Sequence, residues 1–253
     1  MMGILQGKVA IITGGGQGLG LGIAHALAAE GAQLVLTGRT AATLENAAAA
    51  LSRHGVEVLT VNGDARLRAD ADVAVAQAVA RLGRVDILVN NAQSSVPGIG
   101  LESIDDRMWE QTLESGLYGS FYFMQAVFPH MRRQGDGRIV NLGSLSGIEG
   151  TRGFGAYAAA KEGIRGLSRV AAREWGRYGI NVNVICPAAM TEASAQYFAA
   201  YPAEKERYLS TIALGRMGEP EQDIGRAVVF LCGPDSRYMT GQTINVDGGQ
   251  GML

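Results

Sequence analysis

A doubly wound α/β fold of the Rossmann type, one parallel sheet with helices on both faces, is what these 253 residues predict. Three observations carry that reading. Short β-branched apolar runs alternate with longer helical patterns along the whole chain, the signature of βαβ units. The first run leads directly into a glycine-rich loop, GGGQGLG at residues 14–20, and then into a helical pattern. No linker and no shift in composition divides the chain, so residues 1–253 are expected to form a single domain.

The elements follow in order. Residues 8–13 (KVAIIT) are continuously apolar and bounded by glycines, as befits a strand buried on both faces. A helix is predicted over 21–30, closed by Gly31, and a second strand over 33–37. Residues 41–54, rich in Ala and Leu and closed by Gly55, read as helix; 56–61 is the third strand. Helix 70–82, strand 87–89, a long helix over 105–133 and strand 138–142 come next. A helix over about 152–178 precedes the sixth strand, 181–185. Pro220 opens a further helix to about residue 231, at a position where its missing N–H costs nothing. Residues 243–246 form the last strand, and an insert at about 189–217 separates the sixth strand from that final helix.

Composition narrows the function. The chain is 47% hydrophobic and 18% charged, with a formal net charge of −2, and lacks basic stripes or charge blocks. That balance speaks against nucleic-acid and membrane-surface partners. No run reaches the roughly 18 apolar residues of a membrane span, and the N-terminal residues lack a leader pattern, so a cytoplasmic protein is expected. Cys186 and Cys232 lie in apolar runs and are read as buried thiols. His25, His54 and His130 are far apart, lack metal-ligand spacing and are read as surface or helix-end residues; no metal site is predicted.

A glycine loop between strand and helix is a phosphate cradle, because the helix N-terminus offers free N–H groups and partial positive charge. Gly14, Gly16, Gln17, Gly18, Leu19 and Gly20 are the candidate cradle; the spacing is Gly14-xxx-Gly18-x-Gly20 rather than GxGxxG. At the end of the second strand a dinucleotide fold often holds an acid against the ribose 2′-hydroxyl. Gly38 and Arg39 stand there instead. Glycine leaves room and arginine offers a planar cation, which favours NADP(H) over NAD(H).

Tyr157 and Lys161 are four residues apart and share a helix face. An ammonium so placed is expected to favour phenolate and tune Tyr157 to give a proton to an oxygen gaining charge, or take one from an alcohol, with the Ser144 hydroxyl hydrogen-bonding that reacting oxygen.

Taken together, these motifs resemble the short-chain dehydrogenases/reductases over nearly the whole chain. The resemblance implies a catalytic set of Ser144, Tyr157 and Lys161, including the spacing from Ser144 to Tyr157. It implies that Asp64, with Ala65, meets the adenine, and that Asn90 and Ala92 of Asn90-Asn91-Ala92-Gln93 shape the cofactor cleft. It places Pro187 and Thr191 at the nicotinamide carboxamide. The implied reaction is hydride transfer between NADP(H) and a ketone or secondary alcohol, with Tyr157 as acid/base. A homotetramer or homodimer is implied as well, since small residues (Ala158, Ala159, Gly163, Gly166) line the Tyr157 helix.

Three departures stand out. Gln93 replaces the family's glycine after Asn-Asn-Ala, and Ala188 replaces the glycine after Pro187. Gly116 stands where the family carries an Asn that holds a proton-relay water. Ser115, one residue off, would point about 100° away on a regular helix. A water-filled or rearranged relay is one expectation; the alternative is a cofactor-binding regulatory or scaffold protein with an impaired site. Substrate-wall candidates are Gln93, Ser94, Leu145, Glu149, Phe154, Met190 and Tyr197. The insert's aromatics (Tyr197, Phe198, Tyr201, Tyr208) either cover an apolar or ring-bearing ketone or pack the insert onto the domain.

Overall fold

In the computed structural model, which describes residues 3–252, seven parallel strands form one sheet in the order β3-β2-β1-β4-β5-β6-β7. The chain runs β1 (Val9–Thr13), α1 (Gly18–Ala29), β2 (Gln33–Gly38), α2 (Ala41–Leu51), β3 (Val58–Asn62), α3 (Arg68–Leu82) and β4 (Ile87–Asn90). It continues through α4 (Asp106–Leu113), α5 (Gly119–Gln134), β5 (Gly137–Leu142), α6 (Leu145–Glu149), α7 (Gly155–Trp175) and β6 (Ile180–Pro187). The insert holds α8 (Glu192–Ala200) and α9 (Pro202–Leu209); α10 (Arg226–Cys232) and β7 (Thr243–Val246) finish the domain. The strand order reverses between β1 and β4, which pair Ile12 with Val89 at their carboxyl ends. Ligands of open parallel sheets bind outside that crevice.

The alternation of side chains builds two cores. Ala10, Ile12, Leu34, Leu36 and Val89 point to one face and meet Ile23 and Leu27 of α1 and Leu44 of α2. Val9, Ile11, Val35 and Leu88 point to the other and meet Ala74 of α3 with Phe123 and Val127 of α5. Every residue of β1 is buried, as its unbroken apolar run predicts. At the amino-terminal rim, buried Asp86 accepts from Val9 N and is held by Lys8 and by both ends of the Arg84 fork.

The structure corrects several expectations. The long helix over 105–133 is not continuous: a π turn, Glu114–Tyr118, joins α4 to α5. The helix expected from Pro220 also begins with a π turn, Pro220–Gly225, and becomes α-helical at Arg226. The helix expected from about 152 starts at Gly155, and Phe154 before it bridges to Ile99. His25 and His54 are not isolated surface residues; their rings meet, Nδ1 to Nε2, at 3.0 Å beside Arg53. His130 lies half-buried on α5 against Arg133. Cys186 and Cys232 are buried free thiols, and burial pushes them up to about 11 and about 12. Among the described residues no helix is long and apolar enough to cross a membrane, and no group of three or more His, Cys, Asp or Glu could hold a metal.

Candidate active site

A cleft of about 610 Å³ opens at the carboxyl ends of the strands. Its floor is the glycine loop. Gly14 and Gly18 adopt left-handed backbone (φ 63° and 53°), conformations open to glycine at little cost. A Cβ on Gly20 would fall on Gly14 O, so this glycine lets α1 tuck beneath the loop. Thr13 locks the loop to the neighbouring strand, its Oγ1 accepting from Asn91 N (2.9 Å) and Ala92 N (3.0 Å). The Asn91 amide returns bonds to Thr13 O and Gly14 O. The loop is therefore fixed on both sides without spending the N–H groups at the start of α1.

Of the predicted cofactor residues, Gly14, Gly16, Gln17, Gly18, Leu19, Gly38, Arg39, Asp64, Ala65, Ala92 and Thr191 line this cleft. Asn90 lies beneath it, buried, donating to Asn141 Oδ1 at 2.8 Å. Pro187 ends β6. Thr191 caps α8 and faces Gly18 across the cleft, where a Cβ on Gly18 would come within 3.8 Å of it. The sequence reading missed Thr37, Thr40, Thr43, Arg66, Glu192 and Gln196 among the lining residues. Arg66 had a signal, since it follows Asp64 by two. It grips Asp64 Oδ2 through Nε (2.9 Å) and Nη2 (2.6 Å), and this bond is the main cause holding the Asp64 carboxyl below its ordinary range. Two guanidinium groups, Arg39 and Arg66, thus border the end of the cleft beyond β2 and β3.

The predicted catalytic residues converge beside β5. Leu142 ends the strand, and Lys161 Nζ donates to its carbonyl at 2.8 Å. Ser144, two residues on, caps α6 and accepts from Ser146 N at 3.2 Å. Tyr157, one turn before Lys161, packs its ring edge-on against Phe154, centroids 5.8 Å apart. Lys161 Nζ lies 5.4 Å from the Tyr157 ring centre.

Electrostatics here departs from the expectation. Burial pushes Tyr157 above its ordinary value, with the Ser144 hydroxyl pulling the other way, and the lysine is not among the causes of the shift. Lys161 is itself buried and brought down to about 8, desolvation being the first cause. The protein's own groups thus do not make Tyr157 a phenolate; they keep it a neutral, hydrogen-bonded phenol.

Of the proposed substrate wall, Gln93 and Ser94 line the cleft, and Phe154 touches Tyr157. Tyr197 lies in an aromatic cluster with Phe198 and Tyr201, and Phe198 meets Tyr208 at 5.7 Å. Met190 Sδ accepts from Ser194 Oγ, Leu145 packs where a Cβ on Gly251 would fall, and Glu149 is exposed at the end of α6. The insert is tied to the C-terminal segment by Tyr208 Oη, which donates to Gln250 Oε1 (3.2 Å), and by Leu214 N to Gly248 O.

Comparison with known proteins sets this geometry in context. Residues 14–250 match a family model described as enoyl-(acyl carrier protein) reductase. A 12alpha-hydroxysteroid dehydrogenase of Clostridium sp. (strain ATCC 29733 / VPI C48-50) is 46% identical, covering 99% of this chain and 99% of its own. The 3-oxoacyl-(acyl-carrier-protein) reductase of Escherichia coli (strain K12) is 36% identical over 98% of this chain and 99% of its own. A crystal structure of levodione reductase superposes with a TM-score of 0.92 at 35% identity, covering 97% of this chain and 98% of that one.

Proposed function

This chain belongs to the short-chain dehydrogenase/reductase family, and from that premise we propose that it reduces a ring-bearing ketone, or oxidises the matching secondary alcohol, with NADP(H). That its relatives are ketone/alcohol oxidoreductases is the coarser ground. The observation that carries the finer reading is the convergence of Ser144, Tyr157 and Lys161 at the end of β5, beside a glycine cradle bordered by arginine.

The cradle fits a dinucleotide. Left-handed glycines at 14 and 18 admit a close phosphate, and α1 begins at Gly18 with its first N–H groups free of side-chain caps. Arg39 and Arg66 suit a ribose 2′-phosphate, and no carboxylate stands at the end of β2 to repel it. When bound, the dinucleotide supplies the hydride. Tyr157 holds the proton on its Oη until a carbonyl oxygen gains charge, then donates it; Ser144 orients that oxygen. Lys161, anchored on Leu142 O, keeps a positive charge beside Tyr157. The aromatic cluster of α8 and α9 suits a fused-ring substrate, and the 46% identical relative is by name a hydroxysteroid dehydrogenase. A homotetramer or homodimer formed through α7 and the α4–α5 helix belongs to the same reading.

The test is a ketone panel that includes steroid ketones, followed at 340 nm with NADPH, on the wild type and Tyr157→Phe. Turnover in the wild type is expected, falling by about 10²-fold or more in the variant while NADPH binding is retained. A wild type that binds NADPH yet turns over nothing would favour a regulatory or scaffold role instead.

A further inference from the structure

The loop after β4 and the loop before α7 are fastened to each other close to Tyr157. Gly98 N donates to Gly153 O at 2.9 Å, and the residues that follow, Ile99 and Phe154, form an isolated parallel bridge. Gly153 has left-handed backbone (φ 78°), and a Cβ there would lie 3.0 Å from Gly98 Cα, so glycine is what lets the two loops meet. Leu101 and Ile104 of the first loop extend the contact, their Cδ1 atoms 2.9 and 3.0 Å from where a Cβ on Gly155 would fall.

This clamp fixes one side chain against the site. Phe154 N donates to Thr151 O (3.2 Å), and Phe154 O accepts from Ala158 N (2.7 Å) at the start of α7. The backbone at 154 is therefore tied both to the neighbouring loop and to the helix that carries Tyr157. Its ring meets the Tyr157 ring at 68°, centroids 5.8 Å apart. An edge-to-face pair has a preferred geometry, so it orients as well as covers. Both residues are half-buried, so each ring takes from water surface that the other would expose.

Burial is the first cause holding the Tyr157 proton more tightly than an open phenol does. The Ser144 hydroxyl, Cys186 of β6 and Tyr208 of α9 also bear on that proton, and Lys161 Nζ lies 5.4 Å from the ring centre. Glu149 and Arg152, which precede Phe154, are exposed. What this loop brings to the phenol is the apolar ring.

We propose that Phe154 is a positioning residue for the reaction: mounted by the clamp of Gly98 on Gly153, it holds the Tyr157 ring in the orientation that presents its hydroxyl to the substrate and keeps water from its flank. The inference rests on the reading of Tyr157 given above.

Three variants separate a mount from a substrate wall. Phe154→Leu keeps an apolar cover, Phe154→Ala removes it, and Gly153→Ala drives the two loops apart. With NADPH and a steroid ketone, Phe154→Ala should lose about 10- to 100-fold in kcat with KM within about threefold, the cost of a misplaced acid. Gly153→Ala should follow it, and Phe154→Leu should stay within about threefold of wild type. A higher KM at unchanged kcat in Phe154→Ala overturns the proposal, because the ring would then only line the substrate. Wild-type kcat in Gly153→Ala overturns the clamp. The phenol is also read without turnover, by tyrosinate absorbance against pH with each protein's Tyr157→Phe counterpart subtracted. Tyr157 should titrate at lower pH in Phe154→Ala than in the wild type, nearer an open phenol, and in Phe154→Leu close to the wild type. Equal titration in the wild type and Phe154→Ala overturns the proposal whether or not any ketone reacts. A wild type that turns over nothing while the shift is present sinks the catalytic reading of Tyr157 and leaves its hold by Phe154 standing. Phe154→Val, which also stops short of the phenol, takes the place of the alanine variant if that one does not fold.

Discussion

At the scale of single residues, burial outweighs the pair interaction that spacing suggests. Tyr157 and Lys161 share a helix face as expected, yet desolvation dominates both, raising the phenol and bringing the ammonium down to about 8. The sign for stability follows. Between about 8 and the ordinary value of 10.5 the unfolded chain binds the lysine proton more tightly than the folded one. Folding therefore carries the cost of a buried charge at neutral pH and recovers it as pH rises through that window. Lys161→Met has no such recovery, so its stability relative to wild type should decline from pH 8 to 10.5 in denaturant melts. A difference flat with pH would mean that Lys161 folds without a desolvated charge. Arg39 is the second residue with a measurable consequence. Arg39→Ala should weaken NADPH about 10- to 100-fold, the value of a charge-assisted contact, and leave NADH within about threefold. Equal losses for both in fluorescence titrations would refute the 2′-phosphate reading.

At the scale of elements, close approach decides more than helix propensity. Gly22 of α1 faces the π turn Pro220–Gly225, and a Cβ there would fall on the Pro220 ring. Gly225 returns the contact, its own Cβ position lying 2.6 Å from that of Ala26. Alanine is the better helix former by about 1 kcal/mol, but here it meets a ring that cannot turn away. Gly22→Ala should therefore destabilise by about 2 kcal/mol in urea melts, where propensity alone predicts a gain. The other π turn shows why part of the site was illegible. Expectation put Ser115 about 100° from the site on a regular helix; the widened turn between α4 and α5 instead sets Ser115 on the cleft, its Oγ accepting from Ser94 N at 2.9 Å. No periodicity of apolar residues announces one extra residue in a turn.

At the scale of the whole molecule, what could be read was whatever local chemistry dictates. Apolar runs placed the seven strands within one to two residues of where they lie, most clearly in β1, β2 and β4, where both faces are covered and no polar side blurs the pattern. The glycine loop was legible because its tight backbone is open to few residue types, and Gly38-Arg39 because the pair closes the second strand beside it. Arg66, Glu192 and Gln196 were not: they reach the cleft through the geometry of the loop after β3 and of α8, whose first turn faces the loop after β1. The pairing of His25 with His54 was hidden for the same reason, since two helices bring together rings that lie 29 residues apart.

Gln93 Oε1 sits where a Cβ on Gly116 would fall, so the two positions, 23 apart in the chain, fill one notch between them. With Gln93 in place a side chain at 116 meets the amide; with a small residue at 93 and glycine at 116 the notch is left hollow. A substitution at either position is therefore read together with the residue at the other, and Gly116 taken alone understates how full this corner of the cleft is.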